Sequence, residues 1–255
     1  MIVLNTSYSM TEVPYLTNDV LERFAEKLIA DFSPNYLYTP FPIDADRFLE
    51  FYLRLNVEYK NISYNKKILG MTAFNDGNVK IMNDETRRIE DIYVTTGTVI
   101  IDNSLNFKRN THRRRFTLMH EGSHWMLHKR AYSDSNPFGS AGIYENKYIA
   151  AKAGNDDYPR SQKERSDNER MERQADFLAS AILMPRPALR TAFCNFFYLY
   201  GDKPHRLIRG INPVDNYYVD KLPIYISKIF NVSKHAALIR LEKLTAIKYL
   251  RHLHY

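Results

Sequence analysis

His120, Glu121, Gly122, Ser123 and His124 spell H-E-x-x-H. On a helix, two histidines four residues apart stand one turn apart on one face, so both imidazoles can reach a single metal ion. A glutamate beside the first histidine is then within reach of a proton on water that the metal activates. The chemistry in prospect is metal-assisted hydrolysis, with His120 and His124 as ligands and Glu121 as general base. The competing reading is two core histidines beside a solvated glutamate, and the pentapeptide alone does not separate the two. His128 continues the four-residue spacing, but it lies about 12 Å along a helix axis from His120. The expectation for it is a helix C-terminal histidine favoured by the macrodipole rather than a third ligand.

Zinc held by two histidines requires at least one more protein ligand, with a fourth position left for water. Cys194 is the sole cysteine, so a thiolate set is excluded. Carboxylates are available between Ser166 and Pro185, where Ser166 and Glu169 form a capping box and Pro185 stops the helix. Glu172, Ala175, Asp176 and Ala179 share one face of that helix. Two carboxylates among alanines make an odd core stripe, unless the helix approaches the His120–His124 helix closely and delivers a ligand. Gly122 and Ser123 then read as small residues facing it. Glu172 is the favoured ligand, and Glu169, already occupied as a cap, is its rival. Asp176 is the favoured partner for the second ring N–H of a metal-bound histidine, which fixes the tautomer. The plainer reading of both carboxylates is a solvated helical charge pattern.

Several elements have to position these groups. The run from Arg113 to His128 contains no proline and carries Phe116, Met119, Trp125 and Leu127, so a largely buried helix is expected. Thr17 to Asp31 reads as an amphipathic helix, and a second helix is expected near Asp44 to Leu55. Ile68–Phe74 and Asn78–Met82 look like strands around the turn Asn75-Asp76-Gly77. Thr98–Asp102 is a third strand just before the histidine helix, and so a candidate sheet edge for pairing with an extended peptide. Residues from about 131 to 165 are rich in turn formers and read as an inserted surface excursion. Beyond Gly201, Pro223–Phe230 and Ser233 to about Leu250 read as two helices, with Asn231 as the stop and Ser233 as the next N-cap. That pair resembles a helix-turn-helix, against the simpler reading of a docking subdomain.

The 255 residues can hold one large domain, or one domain with a small appendage, and 44% hydrophobic content is ample for a core. No apolar stretch approaches the length of a membrane span, and the N-terminus lacks the pattern of a signal peptide. One cysteine allows no internal disulfide and fits a reducing compartment, so a cytoplasmic location without membrane partners is expected. The net charge of +7 favours acidic partners or nucleic-acid surfaces without singling out either. Its densest run, Lys108-Arg109-Asn110-Thr111-His112-Arg113-Arg114-Arg115, opens the histidine helix, where cations oppose the macrodipole. Carboxylate contacts, substrate docking or plain solvation are the roles left for it.

With both helices in view, the chain resembles the ImmA/IrrE family of metallo-endopeptidases. The resemblance rests on Phe41–Tyr59, on Arg115-Phe-Thr-Leu-Met-His-Glu-Gly-Ser-His-Trp-Met-Leu-His128, on Glu172-Arg-Gln-Ala-Asp-Phe-Leu-Ala-Ser-Ala-Ile-Leu-Met-Pro185 and on Phe230–Leu244, in the family's order. It implies an α+β, zincin-like fold, with a small sheet packed on the metal-bearing helices and a C-terminal helical segment. The expected division is a peptidase-like domain over 1–200, including the 131–165 insert, and a helix-turn-helix-like segment over 201–255. The resemblance assigns His120, His124 and Glu172 to one zinc ion and Glu121 to catalysis. It implies an intracellular endopeptidase that cuts a helix-turn-helix repressor and so relieves repression. An oxyanion-stabilising side chain is expected, with Tyr198, His205, Arg206 and Tyr225 as candidates. Two departures stand out: the long interval between His124 and Glu172, and Gly122-Ser123 where the family has a large apolar residue and then glycine. The alternatives are a zinc-stabilised DNA-binding or protein-interaction module and an inactive relic. A base beside the metal has no use in either.

Overall fold

The computed structural model describes residues 13–83, 85–132 and 167–249, so the capping residue Ser166 and nearly all of the expected 131–165 insert lie outside the described residues. In chain order the elements are α1 (Asn18–Phe32), α2 (Pro34–Tyr38), α3 (Ala45–Arg47), β1 (Asn56–Lys60), β2 (Gly70–Thr72), β3 (Gly77–Met82), β4 (Ile89–Val94), β5 (Thr98–Asp102), α4 (Thr111–His128), α5 (Asp167–Leu183), α6 (Arg186–Leu199), β6 (Leu207–Arg209), α7 (Pro213–Phe230), α8 (Lys234–Lys243) and β7 (Ile247–Tyr249). The class is α+β, as expected. The chain divides into two compact units. One holds the described residues up to Phe24 and those from Asp44 to Ala179; the other holds Ala25–Ile43 and those from Ser180 onward.

In the first unit, β5 is the centre of a three-stranded sheet in the order β1-β5-β2. It runs parallel to β1, pairing Asn56 with Thr98 through Lys60 with Asp102, and antiparallel to β2, pairing Gly70 with Ile101 and Thr72 with Val99. The expectation that Thr98–Asp102 forms a sheet edge is therefore corrected: β5 is paired on both sides, and among the described residues the edges of this sheet are β1 and β2. All five β5 residues are buried, which is why the run reads apolar without alternation. β3 pairs with β4 rather than with β2, so the two strands flanking Asn75-Asp76-Gly77 belong to different sheets. The turn itself is tied down by Asp76, which accepts from Thr96 N and Thr96 Oγ1, both at 2.7 Å. The inner face of the β3–β4 hairpin (Val79, Ile81, Val94) joins Ile62, Ile68, Ala73 and Ile100 in one apolar cluster.

The helix expected near Asp44–Leu55 is a single turn, α3, that widens into a π-helical turn over Phe48–Tyr52. Asp44 caps it by accepting from Arg47 N at 3.0 Å. α4 packs against β2, β5 and α3. It starts where Arg114 donates to both oxygens of Asp46 (2.6 and 2.8 Å) and to Tyr59 Oη (2.7 Å), tying it to α3 and β1. Arg115 is buried, whereas Lys108, Arg109, His112 and Arg113 are exposed, so the basic run divides into supporting and surface members.

In the second unit, Phe196, Phe197 and Tyr218 pack edge-on, with ring centroids 5.3–5.6 Å apart, and join α6 to α7. α7 starts ten residues before the expected Pro223: Asn212 caps it by accepting from Asp215 N at 2.7 Å, and Pro213 opens it. Asn231 stops it in the left-handed conformation, and Ser233 caps α8 by accepting from Ala236 N at 3.0 Å, both as expected. α8 ends at Lys243 rather than near Leu250, and Ile247–Tyr249 instead forms β7, parallel to β6. Arg240, midway along α8, is fully buried and donates through Nε and Nη2 to Met184 O at 3.2 and 3.1 Å.

Candidate metal centre

α4 carries His120, Glu121 and His124 on buried turns, with 4, 7 and 5% of their surface exposed. α5 is amphipathic in the opposite sense from a surface helix: Met171, Glu172, Ala175, Leu178, Ala179 and Ile182 are all buried. Of the stripe Glu172, Ala175, Asp176 and Ala179, three members face inward, while Asp176 is partly exposed at its margin. His120, His124 and Glu172 converge, each offering a ligand atom within 4.8 Å of the other two, and they are the only such group among the described residues. Nε2 of His120 and Nε2 of His124 are 3.0 Å apart. Glu172 places Oε2 3.3 Å from the former and Oε1 3.1 Å from the latter. Atoms bound at about 2.0–2.1 Å to one tetrahedral ion would sit roughly 3.3 Å apart. The observed triangle is of that size.

His120 Nδ1 lies 2.9 Å from Asp176 Oδ1, so when the ring is neutral its proton resides there and Nε2 presents a lone pair. Both oxygens of Glu172 are buried and accept no hydrogen bond. Two orphaned carboxylate oxygens facing two ring lone pairs are costly unless a cation occupies the space between them. The donor set and its spacing therefore fit a divalent metal ion.

Titration behaviour follows from the same geometry. A proton is the small substitute for a metal. Burial opposes charge on His120, but Asp176 and Glu172 more than offset it and hold its pKa well above the usual histidine value. Burial and the neighbouring His120 push His124 well below that value. Burial also raises the Glu172 carboxyl, against the pull of His120.

Glu121 accepts from Thr72 Oγ1 at 2.7 Å through Oε2. Burial raises its pKa, while His120 and Thr72 draw it back. Gly70, two residues earlier on the same edge strand, leaves the room: a Cβ there would come within 2.6 Å of Glu121 Oε1. Neither Gly70 nor Thr72 could be found by spacing, since they reach Glu121 only through the pairing of β2 and its packing on α4.

Glu169, the rival ligand, is exposed and outside the converging group. Gly122 faces the π-helical turn rather than α5, since a Cβ there would meet Leu49 Cδ1 and Leu53 Cδ1 at 3.3 Å. His128 is not a solvated helix-end cation. It is fully buried, burial drives its pKa down to about 3, and it lies 3.0 Å from His124 Nδ1 and 3.1 Å from Gln174 Oε1. Tyr198, His205, Arg206 and Tyr225 all belong to the second unit, where His205 is engaged with Lys203 O (3.0 Å) and Asp215 Oδ1 (3.2 Å).

No individual curated protein matches this chain. A family profile described as Peptidase_M78, IrrE N-terminal-like domain, matches residues 90–242, a stretch that runs from β4 through α4 and α5 to the end of α8. That is more than half of the chain, and it encloses every residue of the converging triangle. The chain belongs to the ImmA/IrrE family of metallopeptidases.

Proposed function

We propose that the protein is a zinc-dependent endopeptidase that cuts a helix-turn-helix repressor at one or a few sites and thereby relieves repression. The observation that carries this reading is the bare triangle of His120 Nε2, His124 Nε2 and the Glu172 carboxylate, with Glu121 buried beside it. In this reading those three residues hold one zinc per chain, Asp176 orients His120, and Glu121 is the general base. Zinc, when bound, supplies Lewis acidity that acidifies water towards a pKa of ~7 and polarises a peptide carbonyl.

The remaining steps belong to the chain. Thr72 holds Oε2 of Glu121, and Oε1, packed over Gly70, is the oxygen left to accept a proton. Glu121 then passes that proton to the departing amine. Burial tunes the carboxyl upward, nearer to neutral pH, where a base works in both directions. β2, paired on one side only among the described residues and next to Glu121, is an edge able to align an extended peptide.

A repressor is favoured over general digestion because a buried site accepts extended backbone, of which a folded protein offers little. Exposed Lys108, Arg109 and Arg113 are available for docking, and a single cysteine supports a reducing, cytoplasmic setting. Among the described residues no helix is long and apolar enough to cross a membrane. The alternative of a non-catalytic DNA-binding module draws little support from α8, whose central Arg240 is spent on Met184 O. The test is incubation with candidate repressors, with and without a chelator, and mass spectrometry of the products. Chelator-sensitive cleavage at discrete positions supports the reading, and intact repressors in every case would overturn it.

A further inference from the structure

Gln174 is fully buried on α5, two residues beyond Glu172, and the hydrolytic chemistry leaves it without a task. Its Nε2 lies 2.6 Å from Pro14 O and its Oε1 lies 3.1 Å from His128 Nε2. His128 Nδ1 in turn lies 3.0 Å from His124 Nδ1. With His128 neutral, one assignment of protons satisfies this series. A backbone carbonyl only accepts, so the NH2 end of the amide faces Pro14 and the oxygen end faces His128. That oxygen also only accepts, so the His128 proton sits on Nε2. A neutral His128 then presents a bare Nδ1, which obliges His124 to carry its own proton on Nδ1. His124 Nε2 is left with its lone pair towards His120 and Glu172.

Pro14 is itself held in place. Arg170 donates to Val13 O at 3.3 Å and covers the Tyr15 ring at 4.0 Å, while Arg173 reaches Asn18 Oδ1 at 3.2 Å. Val13 and Leu16 are buried on either side.

We propose that Gln174 and His128 are positioning residues which, oriented by the carbonyl of Pro14, lock His124 in the tautomer that can ligate a metal. The proposal rests on the ligand role of His120, His124 and Glu172 given above. It accounts for two buried polar side chains that apolar ones could replace by volume, and for a histidine four residues beyond the second ligand that does not reach the ion. Outer partners of this type contribute about 10–100-fold to metal affinity.

The test uses the full chain with Gln174→Met, His128→Phe and the double variant. Zinc dissociation constants are measured by chelator competition, and the His124 tautomer is read from long-range 15N–1H correlations in the metal-free protein. In wild type, His124 should carry its proton on Nδ1. Gln174→Met should shift part of the His124 population to the Nε2–H form and weaken zinc binding about 10–100-fold. Because the two residues act in series, the double variant should lose no more than His128→Phe alone. A wild type that binds no zinc brings down the ligand reading and this inference together. Tight zinc binding by wild type with equal affinity and an unchanged tautomer in Gln174→Met, or additive losses in the double variant, overturns the inference alone.

Discussion

Thr72 Oγ1 donates to Glu121 Oε2 at 2.7 Å, and in the proposed reaction that contact tunes the base. Thr72→Val keeps shape but removes the only donor to Glu121 Oε2 seen among the described residues. Since that hydrogen bond lowers the Glu121 pKa, its loss moves the pKa up. The acidic limb of the pH–rate profile should then shift to higher pH, with kcat down about tenfold and zinc content unchanged. An unmoved acidic limb would show that Thr72 only packs. A second residue-scale prediction concerns the proton that competes with the metal. The His120 pKa is raised, so in the metal-free protein it remains protonated above the usual pH of ~6.5, whereas His124, with a lowered pKa, does not. Zinc binding at pH 7 should release close to one proton, and affinity should fall about tenfold per pH unit as pH decreases through the neutral range. Calorimetry in buffers of different ionisation enthalpy reads this directly, and a proton count near zero would contradict it.

At the scale of elements, the decisive joint is where α4 begins. Arg114 joins α4 to α3 and β1 through Asp46 and Tyr59, in a partly exposed setting. Arg114→Ala should lower stability by roughly 1 kcal/mol, after allowance for solvent screening. Cleavage of an intact protein and of a short peptide should then be affected alike, in contrast to the exposed Arg113. If Arg114→Ala slowed only the intact protein, Arg114 would belong to a docking surface instead. The same region shows what a one-dimensional reading can and cannot reach. H-E-x-x-H and the spacing of Glu172 and Asp176 on one helix are local periodicities and so are legible in the sequence, whereas the contact of Asp176 with His120 joins two helices 56 residues apart. β5 was recognised as a strand, but its place at the sheet centre depends on β1 and β2, pairings that leave no mark on the run itself. β4 went unrecognised because its exposed side alternates charged and apolar residues, with Ile89 and Tyr93 facing outward. Pro223 misleads for a physical reason: a proline suits a first helical turn, and here it sits inside α7, which starts ten residues earlier at Pro213.

At the scale of the whole molecule, the chain is two compact units, and every residue of the proposed site lies in the first. Gly70, Thr72, Glu121, His120, His124, Glu172 and Asp176 come from three elements that are far apart in sequence. The second unit is built on an aromatic cluster and on Arg240, whose guanidinium is turned inward, so the helix-turn-helix likeness of α7 and α8 is one of local caps rather than of an exposed reading surface. Family membership, the triangle of ligand atoms and the base beside it all point to hydrolysis, and the central claim is that Glu121 works on water activated by a metal held by its neighbours. The most direct measurement is cleavage of a repressor substrate by Glu121→Gln protein whose zinc content has been shown to equal that of wild type. The account predicts a rate at least about 100-fold lower with folding intact, the usual cost of losing a general base. Cleavage at the wild-type rate by zinc-replete Glu121→Gln protein would contradict it.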